Sequence, residues 1–322
     1  MLKLNTLSGF GSGVSGAAGC PEGVTTNGYY IGGSPYLDSV DTLVFATSTA
    51  TANTDATLPA GLAYFTHMSQ KFVAAYTCGG YTAGGYAGVW KNTQKMVYAT
   101  SACSAVTDGD LNVSHGVGDT GDASEGCSKG YTISGREVNA DSWGDRVTTT
   151  HKLTFATETN TLVTDANYHA TASGSHGVNA PLNSYCSGGD ASPETDGISK
   201  LNFATDTAVE IAATRTAGKE GLSGFSSATA GYWTDYTPTQ DKITFATDTV
   251  ATITDTTANS VTHYSGMGTS DGVTYGYWTS GSGAVTTECD RLTISTEVSA
   301  AHTDADSSVQ RTAGEGISDG NT

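Results

Sequence analysis

One stretch of the chain concentrates carboxylates among glycines. The segment TDGDLNVSHGVGDTGDASEG, which begins at residue 107, carries Asp108, Asp110, Asp119, Asp122 and Glu125. Ca²⁺ takes many oxygen ligands and tolerates irregular geometry, so a flexible acidic segment of this kind could hold it, as the one cofactor that the sequence suggests. The spacings of known calcium loops are missing from the segment, however, and a solvated acidic loop is the favoured interpretation.

Charged residues also recur at two fixed places in a repeated segment. A basic residue precedes the first apolar position in five copies: Lys95, Lys152, Lys200, Lys242 and Arg291. An acidic residue follows six positions later in four copies: Glu158, Asp206, Asp248 and Glu297. Alternation along a strand predicts that the two charges share a side and lie near opposite rims of the fold. They could form a basic and an acidic ring that dock a charged partner. The favoured alternative is that each basic residue pairs with a neighbouring carboxylate while the acidic residue caps a turn.

The seven histidines are dispersed along the chain: His67, His115, His151, His169, His176, His263 and His302. Two of them, His115 and His176, occur in matching SHGV contexts, which favours an architectural role over a unique catalytic one. A metal site would need several histidines close together, and their spacing does not indicate this. Because no sialidase-type Asp box and no outstanding carboxylate pair occurs either, we expect no enzymatic activity.

Aromatic residues outside the repeated frame are the best indication of a binding surface. They are Tyr81, Tyr86, Trp90, Trp143 and Tyr236. A ring with a polar tip can stack on a sugar or a protein surface, and connecting loops commonly carry such contacts. The alternative is that these rings pack beneath long loops. The long segments 101–129 and 136–150 break the repeat length and indicate one elaborated sector.

A short segment that positions these residues is repeated six times. The copies, here called the anchor segments, are DTLVFATST at 41–49, QKMVYATSA at 94–102, HKLTFATET at 151–159, SKLNFATDT at 199–207, DKITFATDT at 241–249 and DRLTISTEV at 290–298. The fifth position is Phe45, Tyr98, Phe155, Phe203, Phe245 or Ile294. Strand alternation puts this residue and the apolar residue two positions earlier on one side, where they should fill the contacts between neighbouring repeats.

Three further elements accompany each anchor segment. An aromatic strand such as GYYIGG precedes it, a weaker element such as LSGFGS (from Leu7) or HGVNAP (from His176) comes before that, and an alternating strand such as VATITD follows it. Four strands in a repeat of about 50 residues are typical of a propeller blade. The sequence therefore predicts an all-β fold with almost no helix: a six-bladed β-propeller of four-stranded antiparallel blades, with residues 1–322 forming a single domain.

The two ends of the chain are related in sequence. RTAGEGISDG from Arg311 matches RTAGKEGLSG from Arg215, which leads into LSGFSS, and the chain opens with the similar LSGFGS. This continuity predicts that the last blade lies beside the first and that the ring closes. Residues 317–320 either pair with the first blade as a latch or fray, and the sequence leaves both options open.

Composition narrows the partners and the compartment. The chain has 32 acidic and 14 basic residues, a formal net charge of -18, which repels phosphate backbones and anionic membranes. We therefore expect no nucleic-acid partner and no membrane insertion. The first residues do not form a signal peptide, which predicts synthesis in the cytoplasm. The six cysteines contain no CxxC pair, which favours free, mostly buried thiols over a disulfide framework.

The GYYIGG and AYTCGG elements, each followed by a FATDT-type strand, resemble kelch-like propellers, in which a glycine pair ends the second strand of a blade. The chain departs from kelch in lacking the regularly spaced Trp after the Tyr. Its repeats are more similar to those of structural proteins in marine tailed phages, and the resemblance covers almost the whole chain. It implies a virion component, made in the host cytoplasm, that is tail-associated or otherwise displayed on the surface.

We therefore expect a non-enzymatic virion structural protein that serves host attachment or decoration. Its expected partners are other virion proteins, a host surface receptor such as a glycan, and a second copy of the chain in a homo-oligomer. Two alternatives remain, a cellular kelch-type interaction scaffold and a glycan-active propeller enzyme.

Overall fold

The computed structural model describes residues 23–82, 91–111, 121–139, 142–170, 174–189, 195–216, 220–235, 237, 239–253, 259–281 and 287–320. Within these ranges, strands form six four-stranded antiparallel sheets that are arranged in a ring. The fold is a six-bladed β-propeller, as the repeats predict. Helix among the described residues is limited to short 3₁₀ turns at Thr107–Gly109, Thr164–Ala166 and Thr303–Ala305. None of the described helices has the length and apolar character needed to cross a membrane.

Each blade has four strands, which run from the ring axis outward. The innermost strands are β4 (Thr66–Gln70), β8 (Gly121–Ser124), β12 (His176–Asn179), β16 (Ser223–Ser226), β20 (Met267–Ser270) and β24 (Glu315–Ser318). The second strands are β1 (Asn27–Ile31), β5 (Ala74–Cys78), β9 (Lys129–Asn139), β13 (Asn183–Ser187), β17 (Ala230–Thr234) and β21 (Tyr275–Thr279). The third strands are β2 (Ser39–Val44), β6 (Thr93–Val97), β10 (Ser142–Thr154), β14 (Ile198–Asn202), β18 (Gln240–Thr244) and β22 (Cys289–Thr293). The outermost strands are β3 (Thr49–Thr57), β7 (Cys103–Val106), β11 (Thr159–Val163), β15 (Thr207–Glu210), β19 (Thr249–Ile253) and β23 (Val298–Ala301).

The ring is closed by a strand from far along the chain. β24 pairs antiparallel with β1, with Ser318 opposite Gly28 and Glu315 opposite Ile31. Blade 1 therefore consists of β24, β1, β2 and β3, and blades 2 to 6 follow in chain order. The innermost strands contact one another in an unbroken cycle, from β24 through β4, β8, β12, β16 and β20 back to β24. The latch is the correct option of the two, whereas LSGFGS at Leu7 lies outside the described residues.

The hydrophobic core lies between the blades. The fifth residue of five anchor segments faces the preceding blade, where it stacks on a tyrosine of that blade's second strand. These pairs are Tyr29–Tyr98, Tyr76–Phe155, Tyr131–Phe203, Tyr185–Phe245 and Tyr277–Phe45, with ring centroids 5.1 to 5.9 Å apart. The apolar residue two positions earlier packs in the same clusters, as Leu201 does with Tyr131. The prediction that these positions fill the contacts between blades is confirmed.

The two faces of the ring are built differently. On the turn face, short hairpins join the third strand to the fourth in every blade, and the first strand to the second in blades 2 to 6. On the linker face lie the connections between second and third strands and the linkers between blades. The elaborated segment 136–150 belongs to the long hairpin of β9 and β10, which contains two register shifts, so this sector is extended by strand pairing.

Candidate functional site

Four glycines let the innermost strands approach one another closely at the ring axis. They are Gly177, Gly224, Gly268 and Gly316, one in each of four blades. A Cβ atom on Gly268 would lie 2.0 Å from the carbonyl oxygen of Gly224, and one on Gly316 would lie 2.4 Å from that of Gly268. In blades 2 and 3 the equivalent positions hold His67 and Asp122, which line the channel.

The side chain of His67 connects carboxylates from two other blades. Its Nδ1 lies 2.9 Å from Oε2 of Glu315, and its Nε2 lies 3.5 Å from Oδ2 of Asp122. The other carboxylate oxygen of Asp122 lies 3.7 Å from Nδ1 of His176 and accepts a hydrogen bond from the Gly177 N–H at 3.1 Å. Side chains from blades 1, 2, 3 and 4 thus form one cluster in the channel, here called the channel cluster.

The electrostatics of the channel cluster favour a charged imidazole. Burial alone lowers the pKa of His67, but Asp122 and Glu315 outweigh this effect and raise the pKa to about 9. Burial raises the pKa of Glu315, and the contacts with His67 oppose that shift. At neutral pH His67 is therefore a buried imidazolium held between carboxyl groups, and it links blade 2 to blades 1 and 3.

A ring of small polar residues surrounds the channel on the turn-face side of the cluster. It consists of Ser69, Ser124, Asn179, Ser226, Ser270 and Ser318. The Ser69 hydroxyl donates to the Ser318 carbonyl oxygen at 3.1 Å, and the Ser124 hydroxyl donates to the Ser69 carbonyl oxygen at 2.6 Å. The Ser270 hydroxyl donates to the carbonyl oxygen of Ser226 at 2.6 Å. These bonds tie each innermost strand involved to the one before it.

Backbone hydrogen bonds form a second ring at the linker-face end of the channel. Its five described members all have positive φ angles, between 49° and 74°: Tyr64, Gly174, Gly221, Ser265 and Ala313. The N–H of Tyr64 donates to Ala313, that of Ala313 to Ser265, that of Ser265 to Gly221 and that of Gly221 to Gly174, at 2.7 to 3.1 Å. Backbone atoms therefore narrow the channel at this end.

The space left in the channel is small. A cavity of about 50 Å³ adjoins the channel cluster, and one of about 30 Å³ lies nearer the linker face. These volumes hold a few water molecules but exclude a sugar or a peptide. In the part of the chain that is described, no group of three or more His, Cys, Asp or Glu side chains is arranged to hold a metal ion. Proton exchange and the cross-linking of blades are the chemistry that this arrangement supports.

The predicted charged positions meet as ion pairs between neighbouring blades. The lysine of one blade contacts the acidic residue of the next in Lys95–Glu158, Lys152–Asp206, Lys200–Asp248 and Lys242–Glu297. The first three N–O distances are 2.6, 2.5 and 2.7 Å. At the sixth interface Arg291 donates to the hydroxyl of Ser48, which occupies the acidic position in blade 1. The four lysines thus pair with carboxylates, as the favoured alternative has it, whereas Arg291 pairs with a hydroxyl.

The prediction that the two charges lie near opposite rims is wrong. Each third strand ends before the acidic residue, which lies in a turn with φ between 51° and 55°. Strand alternation does not continue through a turn, so the carboxylate points back to the preceding blade. At Asp206 burial alone would raise the pKa, but hydrogen bonds from Lys129, Lys152 and Tyr131 lower it to about 2.

The calcium candidates do not share a site. The structure describes Asp108, Asp110, Asp122 and Glu125, and Asp119 lies outside the described residues. Asp122 belongs to the channel cluster, whereas Glu125 accepts hydrogen bonds from Ser128 in the β8–β9 hairpin. Asp110 accepts a hydrogen bond from the N–H of Thr93. Because these carboxylates serve separate parts of two blades, the prediction of a joint Ca²⁺ site is wrong for the four described residues.

The aromatic candidates divide into one buried ring and four that are not described. Tyr81 is 6% exposed and packs edge-on against Tyr64, with ring centroids 5.8 Å apart. The prediction that Tyr81 offers an exposed binding ring is therefore wrong, and the packing alternative applies to it. The structure does not describe Tyr86, Trp90, Tyr236 or the side chain of Trp143 in β10.

The cysteines only partly follow the prediction. Cys78, Cys103, Cys186 and Cys289 are free, and three of these four are buried. Cys127 is disulfide-bonded, so the expectation of free thiols is wrong for this residue. Cys20 lies outside the described residues.

Histidines do gather near the axis, which their spacing in the sequence did not indicate. His67 and His176 have ring centroids 6.1 Å apart, although 109 residues separate them. The sequence did contain a signal: His67 and Asp122 occupy a position at which four blades have glycine. His263 has a structural role, with Nε2 3.0 Å from Asp290, and His115 lies outside the described residues.

Comparison with known proteins adds no relative, because no family model and no curated protein matches the chain.

Proposed function

We propose that this propeller is a non-enzymatic structural protein of a tailed-phage particle, associated with the tail or displayed on the surface. There it binds a host receptor, such as a glycan, or decorates the particle. The resemblance of its repeats to structural proteins of marine tailed phages supports the assignment to a phage particle. The geometry of the ring supports a binding role.

One observation carries the binding role, which is the contrast in loop length between the two faces. On the turn face, the hairpins between third and fourth strands have four or five residues in every blade. On the linker face, the connections between second and third strands range from five residues at 235–239 to fourteen at 79–92, and in blade 3 the strands β9 and β10 themselves extend as a long hairpin. Variable connections displayed on one face of a rigid scaffold are the usual arrangement for recognition.

The rigid scaffold has a physical basis in the residues described above. Stacked rings and ion pairs join neighbouring blades near the turn face, and the channel cluster joins four blades at the axis. A ring held at both places keeps the linker-face connections in fixed relative positions, which reduces the entropy lost on binding a partner.

Analysis of purified particles tests the first part of the proposal. Antibodies raised against the recombinant chain should label particles from a lysate of the source culture, and mass spectrometry should detect the chain in a fixed ratio to the other particle proteins. A chain that is missing from particles and instead binds one cytosolic partner would favour the kelch-type scaffold.

Exchange of connections tests the binding face. Replacing residues 79–92 with the short connection 235–239 of blade 5 should reduce binding of the labelled propeller to host cells by about tenfold or more. The matched control replaces the turn-face hairpin 98–102 of the same blade with the hairpin 245–248 of blade 5, and should leave binding unchanged. Turnover of host polysaccharide by the purified chain would favour the enzyme alternative.

A further inference from the structure

Charge is distributed unequally between the two faces. Near the turn face, the described residues include seven basic ones: Lys71, Lys95, Lys129, Lys152, Lys200, Lys242 and Arg291. They also include seven acidic ones: Glu125, Glu158, Asp206, Asp248, Asp271, Glu297 and Asp319. Elsewhere in the described ranges only five basic residues occur, against most of the acidic ones: Lys91, Arg136, Arg146, Arg215 and Arg311. The turn face is thus balanced in charge, and the excess negative charge lies toward the linker face.

The turn face also contains two apolar grooves. The larger has a volume of about 870 Å³, extends over blades 3, 4 and 5, and is lined by Lys129, Ala180, Leu182, Phe203 and Phe245 among others. The smaller has a volume of about 420 Å³ and lies between blades 6 and 1. The larger groove ends over blade 5 and the smaller begins at blade 6, so the interface of blades 5 and 6 lies between them.

Apolar side chains project beside these grooves. Val24 is 82% exposed and lines the smaller groove, and Val273, 74% exposed, lies in the hairpin next to it. Leu182 is 53% exposed at the edge of the larger groove. Exposed apolar side chains that accompany apolar grooves on a single face indicate an interaction surface.

We propose that two copies of this chain associate through their turn faces, so that Val24 and Val273 of one copy enter the larger groove of the other. A two-fold axis in the plane of the ring, passing through the interface of blades 5 and 6, brings the smaller groove of one copy opposite the part of the larger groove that lies over blades 4 and 5 of the other. Such an arrangement is self-complementary, as a two-fold interface requires. The balanced charge of the turn faces permits their approach, whereas two linker faces repel each other.

Measurement of the mass of the full chain in solution tests this inference. Light scattering after size exclusion, together with sedimentation over a range of concentrations, should show a dimer. Leu182→Asp and Val273→Asp should each weaken the dimer by about a hundredfold or more, because each places an unpaired carboxylate in the interface. The matched control is Val209→Asp, a 61% exposed position in the outermost strand β15, which should leave the dimer unchanged. Thermal melts of all three variants establish that the ring is folded.

Each other outcome overturns the inference. A monomer at every concentration excludes the dimer, and a dimer that resists both Leu182→Asp and Val273→Asp uses another surface. A dimer that forms only when residues 1–22 are removed means that the chain's own first segment occupies the groove. The inference is independent of the proposed function, because association is measured on the purified chain.

Discussion

Both faces of the propeller use ion pairs, but the pairs differ in burial. On the linker side Arg311 contacts Asp41, and both side chains are fully buried. There Arg215 also contacts Asp235 and Asp241, with at most 5% exposure of any of the three side chains. The lysine pairs near the turn face retain 22% to 35% exposure, with Lys95–Glu158 as an example. The buried pairs fix a linker onto the blade that follows it, whereas the exposed pairs join two finished blades.

This difference predicts how each kind of pair responds to mutation. A buried charge that loses its partner remains desolvated and unpaired, while an exposed one is solvated by water and screened by salt. Removal of one partner of an ion pair should therefore lower the free energy of unfolding strongly on the linker side and only slightly near the turn face.

The largest effect is expected at the pair that closes the ring. Asp41→Ala leaves Arg311 buried, with only the carbonyl oxygens of Gly32 and Ser39 as hydrogen-bond acceptors. We expect the free energy of unfolding to fall by about 3 to 5 kcal/mol in urea titrations. Asp304→Ala, at an exposed position of the same face, is the control and should change it by less than about 0.5 kcal/mol. A loss below about 1 kcal/mol for Asp41→Ala would contradict the assigned importance of burial.

An intermediate effect, dependent on pH, is expected at the channel cluster between the two faces. The pKa of His67 rises from 6.5 to about 9 on folding, so its contribution to stability is complete below pH 6.5 and is lost as the pH rises to about 9. The raised pKa of Glu315 acts in the same direction. The free energy of unfolding should fall by about 3 kcal/mol across this window. Urea titrations at several pH values measure it, and His67→Gln should remove most of the dependence. An equally steep loss in His67→Gln would assign the effect to other groups.

A small effect is expected at a turn-face pair. Lys200→Met and Asp248→Asn together form a double-mutant cycle whose coupling energy measures the pair. Because both side chains are partly exposed, we expect a coupling of about 0.5 to 1 kcal/mol that declines at high salt. A coupling above about 3 kcal/mol would contradict the expectation that exposed ion pairs contribute less to stability than buried ones.

The smallest effect, and a stabilising one, is expected where the turn-face pair is missing. Between blades 1 and 2, the basic and acidic positions hold Thr42 and Ser101, and Asn53 donates hydrogen bonds to both side chains. Thr42→Lys with Ser101→Asp should restore an ion pair and raise the free energy of unfolding by about 0.5 kcal/mol. The positive φ of Ser101 suits aspartate, as it does at Asp206. Thermal melts measure the change, and each single variant is the control, which should lack the gain.

The repeat made the architecture predictable. One segment copied six times indicates the number of blades, and its alternation indicates which side chains share one side of the third strand. The contacts of Leu201 and Phe203 followed from alternation alone. The direction of Asp206 could not be predicted in this way, since a turn with positive φ reverses it. The channel cluster was missed because only His67 and Asp122 depart from glycine there, and a departure becomes visible only when the six copies are compared position by position.

The pairing of β24 with β1 also means that the ring can close only near the end of translation. During translation β1 emerges first among the described strands, and its edge stays without this partner until five further blades have left the ribosome. Throughout that time the nascent chain exposes a strand edge that another chain could occupy. Ribosome stalling before codon 315 should therefore yield species that cannot close, and chaperone capture of such species is the expected cellular response.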